Sequence, residues 1–189
     1  MASETDICNS ALIKVGARRI TSLGDGSKEG KICTEMYPRK RDELLRSHPW
    51  NFSMKRVELA QTINTPAFDY EQEYQLPSDV LRVFKTDFEE QTNERWVVEG
   101  DKLLSNTSTV KILYQARVTD TTKFDAAFVE ILSLYMAADF AYALSQSASL
   151  AKSLLDQFNV ALRDARSIDA QEGFDNNIVE AFTWINERF

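Results

Sequence analysis

The apolar residues of this chain change their spacing twice, and that double change limits the folds open to it. From residue 3 to 50 they recur every three to four positions, as on one face of a helix. From 51 to 118 they move toward the two-residue repeat of a strand, and from 119 to 173 the helical spacing returns. No long helices separate the strands, which disfavours a parallel α/β sheet. The expected fold is α+β: a four-helix bundle built from both ends of the chain, with an inserted antiparallel β-sheet or small sandwich and a C-terminal tail segment. Residues 1–50 and 119–173 then form a discontinuous helical domain, 51–118 the β-rich insertion, and 174–189 the tail.

Local signals mark the ends of these elements. Ser3 followed by Asp6 is an acidic variant of the capping box, and Ile7, Cys8, Ala11, Leu12 and Val15 follow at helical spacing until Gly16 stops the run. Ser27 caps a second helix carrying Ile32, Cys33, Met36 and Tyr37, which Pro38 is expected to kink or restart before it ends at Pro49-Trp50. Strands are predicted at 52–59, 70–75, 80–88, 96–99, 102–104 and 110–117, with Glu99-Gly100-Asp101 as a hairpin turn. Helix resumes at Asp125, where Phe128, Ile131, Leu132, Tyr135, Met136 and Phe140 nearly encircle the axis and so imply neighbours on several sides. Ser147 or Ser149 caps the next helix, which repeats Leu150, Leu154, Leu155, Phe158, Leu162, Ala165 and Ile168. In the tail, Ile178, Phe182, Ile185 and Phe189 form one stripe, with Trp184 beside it. Chain ends are usually disordered unless docked, so Phe182, Trp184, Ile185 and Phe189 are a candidate interface, either with the chain's own bundle or with a partner.

Composition narrows the function classes. The 189 residues are 43% apolar, enough for one sizeable core or two small ones, and a net charge of -7 repels phosphate and anionic lipid headgroups. Tight nonspecific nucleic-acid binding is disfavoured, although an acidic surface suits DNA that slides past without adhering. The N-terminus shows no apolar signal core, and Asp125, Glu130 and Asp139 interrupt the most apolar stretch, so neither secretion nor a membrane span is expected. Cys8 and Cys33 have neither zinc spacing nor the density of a disulfide scaffold and read as buried reduced thiols.

No catalytic constellation emerges. The run Gly24-Asp25-Gly26-Ser27-Lys28-Glu29-Gly30-Lys31 has the wrong spacing for a phosphate loop, with Ile32 where a metal-binding hydroxyl belongs; a turn entering a helix explains it. His48 lacks a recognisable nucleophile, and one histidine with two separated cysteines does not make a transition-metal site. Glu89-Glu90, or Glu71 with Glu73, supply the carboxylates of a glycosidase, the strongest enzyme alternative. Arg39, Lys40 and Arg41 form the most basic cluster, a candidate contact patch for DNA phosphates or an acidic partner; Asp42 and Glu43 follow at once and favour a solvated helical face. The expectation is a protein that is not an enzyme, with no catalytic residue, cofactor or metal.

The stretch Arg41-Asp42-Glu43-Leu44-Leu45-Arg46-Ser47-His48-Pro49-Trp50-Asn51-Phe52, then Lys55-Arg56-Val57-Glu58-Leu59-Ala60, resembles the tail tubular protein A family of short-tailed bacteriophages. Tyr74-Gln75-Leu76-Pro77-Ser78-Asp79-Val80-Leu81-Arg82-Val83, Val97-Val98-Glu99-Gly100 and Tyr114-Gln115-Ala116-Arg117-Val118-Thr119-Asp120 extend the likeness in order, as does Asn9-Ser10-Ala11-Leu12-Ile13-Lys14-Val15-Gly16. The last fifteen or so residues carry none of it. What the resemblance implies is a structural virion protein: a head-to-tail adaptor forming a homo-oligomeric ring, dodecameric in the family. The ring sits between portal protein and tail nozzle protein, at the head–tail junction of a virion assembled in the host cytoplasm. Genomic DNA leaves through its channel without specific binding, no membrane is involved, and attachment of tail fibres is left open. The alternatives are a tail-associated peptidoglycan-degrading enzyme and a DNA-packaging or DNA-binding factor. Within the signature, Trp50 after Pro49 is expected to anchor the passage from helix to strand, and Pro77 to fix a turn.

Overall fold

The computed structural model describes residues 2–87 and 95–172. Among them are four helices and two antiparallel sheets, so the fold is α+β. The chain divides into two compact units, Met1–Arg41 with Phe124–Phe189, and Asp42–Lys123.

The first unit is helical. α1 (Glu4–Lys14) starts with a reciprocal capping box: the Asp6 N–H donates to Ser3 Oγ at 3.1 Å and the Ser3 N–H to Asp6 Oδ2 at 2.9 Å. Those bonds to Ser3 hold the Asp6 carboxyl below its ordinary range. Of the kink or restart expected at Pro38, the restart does not occur: α2 (Lys28–Ser47) runs through Pro38 as one helix. Pro38 and Thr34, whose carbonyl loses its helical donor, are both exposed, so the lost bond falls on the solvent side while Cys33 and Tyr37 are buried on the other side. α3 (Ala126–Ser145) is capped by Asp125, which accepts from the Ala127 N–H at 2.6 Å. It is long and apolar enough to cross a membrane, but half of that apolar stretch is buried inside the fold. Its two interrupting acids are paired, Glu130 with Lys14 and Asp139 with Lys40, each at 2.8 Å. α4 (Ala148–Glu172) begins at Ser147, whose Oγ accepts from the Leu150 N–H at 3.3 Å. It turns Leu154, Phe158 and Ala165 inward, and Tyr135 of α3 stacks on Phe158 at 4.7 Å.

The four helices are present among the described residues, but the expected four-helix bundle is not confirmed. Close packing runs from α1 to α3 to α4. α2 is separated from α3 in sequence by the strands, and its Lys40 side chain pairs with Asp139 and lies over the Tyr135 ring of α3.

The second unit holds β1 (Met54–Glu58), β2 (Ala60–Gln61), β3 (Gln72–Gln75), β4 (Val80–Thr86), β5 (Trp96–Glu99), β6 (Lys102–Ser105) and β7 (Lys111–Ala116). One sheet has the order β1-β7-β4 and the other β2-β3-β6-β5, all pairs antiparallel. Leu59, Tyr74, Leu76, Leu103, Val110, Ile112, Tyr114 and Ala116 form its apolar core. Gly100, at φ +62°, turns β5 into β6 as the hairpin signal required. Strand β1 starts at Met54 because Asn51–Ser53 takes a 3-10 turn, with the Ser53 N–H donating to the Trp50 carbonyl at 2.9 Å. Strand β2 escaped the sequence reading: two exposed residues carry no alternation.

The boundary between the units falls after Arg41, nine residues before the position expected from the period change. Side-chain bonds draw residues 42–50 to the strands: Gln115 to the Leu45 and His48 carbonyls, Arg46 to the Leu81 carbonyl, and Arg117 to Asp42. Helical period records what is helical, not what it packs on.

Candidate functional site

The residues singled out at the end of α2 make a dense polar and aromatic joint within the second unit. Trp50 is 1% exposed; its Nε1–H donates to the Leu44 carbonyl at 3.0 Å, His48 meets it edge-on at 4.7 Å, and Phe52 stacks at 6.3 Å. Pro49 stands in the exposed turn where the Trp50 N–H donates to the His48 carbonyl at 2.9 Å. Beside them Gln115, fully buried on β7, directs its amide N–H groups at the Leu45 carbonyl (2.5 Å), the His48 carbonyl (2.6 Å) and Ser53 Oγ (3.1 Å). The buried amide satisfies the Leu45 carbonyl that the helix end leaves unpartnered and gives the His48 carbonyl a donor beside the Trp50 N–H. Sequence reasoning passed over Gln115, because a glutamine in a strand reads as solvent-facing.

A second hub surrounds Asp79. Pro77 opens its turn, with the Val80 N–H donating to the Pro77 carbonyl at 3.1 Å. Asp79 then accepts from Lys55 Nζ at 2.7 Å and Tyr114 Oη at 3.1 Å, while its backbone carbonyl accepts from the Arg117 N–H at 2.6 Å. Burial pushes the Asp79 carboxyl up, but the Lys55 ammonium and the Tyr114 hydroxyl outweigh it and hold it below the ordinary range. Burial first, and then the Asp79 charge, push the Tyr114 phenol up to about 12.

The basic cluster does not remain together as an open patch. Arg41 is buried to 7% exposure with its guanidinium 5.9 Å from the Tyr37 ring, and Lys40 lies 4.0 Å over the Tyr135 ring while paired with Asp139. Burial alone would lower the Lys40 pKa; the bonds to Asp139 and Tyr135 raise it above the ordinary lysine value. Only Arg39 of the three stays largely in solvent, 3.8 Å from Glu35.

The glycine-rich turn before α2 is occupied by its own carboxylate. Asp25 Oδ1 accepts from the Ser27 N–H at 3.0 Å and from Ser27 Oγ at 2.5 Å, and Ser27 Oγ accepts from the Gly30 N–H at 3.0 Å. A Cβ on Gly30 would lie 2.2 Å from Asp25 Oδ1, so the glycine makes room for this cap rather than for a phosphate. The Ser27 bonds hold Asp25 below its usual range.

Of the candidate acids, Glu73 accepts from Thr62 Oγ1 at 2.9 Å and faces Lys102 at 3.6 Å, while Glu71 is exposed and held through its N–H by Asn106. Cys8 and Cys33 are free and buried; the bond with Cys33 and burial push the Cys8 thiol up, away from reactivity. Glu89-Glu90, the 174–189 tail and its residues Phe182, Trp184, Ile185 and Phe189 lie outside the described residues.

No protein-family model matches the chain, and no curated protein matches it either.

Proposed function

We propose that this chain is a ring-forming head-to-tail adaptor of a short-tailed phage, joining portal to tail nozzle around the DNA exit channel, with its helices closed into one four-helix bundle. The reading rests on the sequence resemblance. One observation supports it: segments far apart in sequence that carry the likeness are bonded to one another. Gln115 meets Leu45 and His48, Arg117 meets Asp42, Lys55 and Tyr114 meet Asp79, and Arg46 meets the Leu81 carbonyl. Residues with those partners build a fold, which is what a structural protein needs them for. The net charge of -7 agrees with a channel that does not hold DNA.

The test is native mass by light scattering, for the chain alone and mixed with the portal protein encoded by the same phage, with electron micrographs of any large species. Rings, or a complex that forms only with portal, are expected. A monomer that ignores the portal sinks the reading, and peptidoglycan turnover or salt-dependent duplex binding by the chain would replace it.

A further inference from the structure

The chain has two cysteines, and the helical unit brings them together. Cys8 lies on α1, six residues before its last residue Lys14, and Cys33 on α2, five after its first residue Lys28. At about 1.5 Å of rise per residue they stand about 9 and 7.5 Å from the helix ends that residues 15–27 connect. Hydrogen bonds tie that connection to the sequence neighbour of each cysteine. Asn9 holds Ile20 on both sides: its Nδ2 donates to the Ile20 carbonyl at 3.0 Å, and its Oδ1 accepts from the Ile20 N–H at 2.8 Å. Three residues on, the Leu23 carbonyl accepts from Thr34 Oγ1 at 2.5 Å. The two helices are thereby drawn level at Cys8 and Cys33, both 0% exposed, and there the two thiols are hydrogen-bonded to each other.

Among the described residues no histidine, acid or further thiol joins the pair as a metal-ligand set, so thiol chemistry is what the site offers. The contact is unequal. The bond with Cys8 holds the Cys33 thiol below its ordinary value, against burial and the charges of Asp25 and Glu29, while the same bond and burial push Cys8 up. Cys33 is therefore the better nucleophile of the two, and Cys8 the partner that reacts second.

We propose that Cys8 and Cys33 are an intrachain cross-linking site, closed to a disulfide by hydrogen peroxide. The Cys33 thiolate attacks one peroxide oxygen and the O–O bond breaks. The hydroxide released takes up the Cys33 proton as water, and Cys33 is left as a sulfenic acid. The Cys8 sulfur then attacks the Cys33 sulfur, the S–O bond breaks, and the second hydroxide leaves as water with the Cys8 proton. Two thiols are oxidised and one peroxide is reduced to two waters. Because both sulfurs are buried, peroxide enters on local opening of α1, whose 11 residues are too few to hold a helix without packing. The bond staples α1 to α2. It is independent of the adaptor reading: the thiols persist in a reducing compartment and close in an oxidising one.

The experiment treats the full reduced chain in native buffer with a small excess of hydrogen peroxide and removes the peroxide with catalase. Remaining thiols are alkylated in denaturant, and intact mass and a peptide map are read. In the parent, both thiols should escape alkylation until a phosphine reduces the sample, with Cys8 joined to Cys33 in one monomeric chain and circular dichroism unchanged throughout. The linked chain should melt about 5 °C or more above the reduced one, because the bond closes a loop in the unfolded state. Cys8→Ala should leave a sulfenic acid on Cys33 that dimedone traps, and Cys33→Ala should be labelled at Cys8 at least tenfold more slowly. Four results would each overturn the proposal: thiols that stay open to alkylation, a bond only between chains, a link that forms only after helicity is lost, or a linked chain that melts no higher than the reduced one. Equal dimedone labelling of the two variants would overturn the order of attack. Should the alanine variants fail to fold, the peptide map and melting of the parent still decide the cross-link.

Discussion

The helical unit and the β unit are held together by different physics. In the first, the middle of α3 is apolar on nearly every side, with Phe128, Ile131, Leu132, Met136 and Phe140 all buried, while its ion pairs Lys14–Glu130 and Lys40–Asp139 lie toward the rim. In the second, directed bonds run through the interior: Gln115 to two carbonyls, Trp50 to a third, Tyr114 to Asp79, and Tyr74 to Gln72 and the Thr107 carbonyl. Burial is non-directional and tolerates exchange of similar volumes, whereas a buried polar group left unpartnered carries its whole desolvation penalty. The helical unit should therefore forgive conservative substitutions that the β unit does not.

The largest expected effect that sharpens this contrast is at Trp50. Trp50→Ala should lower stability by about 3–5 kcal/mol, chiefly through lost burial, with the Leu44 carbonyl keeping only its bond from Ser47 Oγ. An unchanged melting temperature would remove Trp50 as the anchor of the joint. Next is Gln115→Leu, nearly isosteric, which strands the Leu45 carbonyl, leaves the His48 carbonyl with the Trp50 N–H alone, and should cost about 1–3 kcal/mol. Its helical counterpart, Met136→Leu, should stay below about 1.5 kcal/mol. If chemical denaturation ranks those two the other way, the contrast fails.

The smallest effect is electrostatic. Asp79 is held below its unfolded value of about 3.9, so its contribution is present above that pH and is lost as pH falls through its folded pKa. Asp79→Asn should remove it at neutral pH and flatten part of the acid limb of a stability–pH profile. Tyr114 works at the other end: with the folded phenol pushed up to about 12, stability should decline between about pH 10 and 12, and Tyr114→Phe should flatten that decline. An alkaline limb identical in parent and Tyr114→Phe would contradict the assignment.

The elements were mostly legible, because each is announced by local chemistry. Ser3 with Asp6, Asp125 and Ser147 start helices with their own side chains, and Glu99-Gly100-Asp101 turns a hairpin through a residue that tolerates positive φ. Less was legible where the partner lies far along the chain. Arg39, Lys40 and Arg41 look alike as a sequence run, yet Asp139 and the Tyr135 ring, almost a hundred residues on, sequester Lys40. Gln115 and Asp79 were missed as hubs for the same reason: nothing in a strand glutamine or a turn aspartate names the carbonyls and cations that will surround it.

The sequence by itself determined the class of fold, the order of helical and β segments, and most of their ends, because periodicity and capping act over a few residues. Tertiary structure alone decided that the last turns of α2 belong with the strands, that the basic run is dispersed, and that Ile63 and Phe68 stay exposed. Those outcomes depend on which distant side chains become neighbours, and burial and charge pairing are properties of neighbours in space.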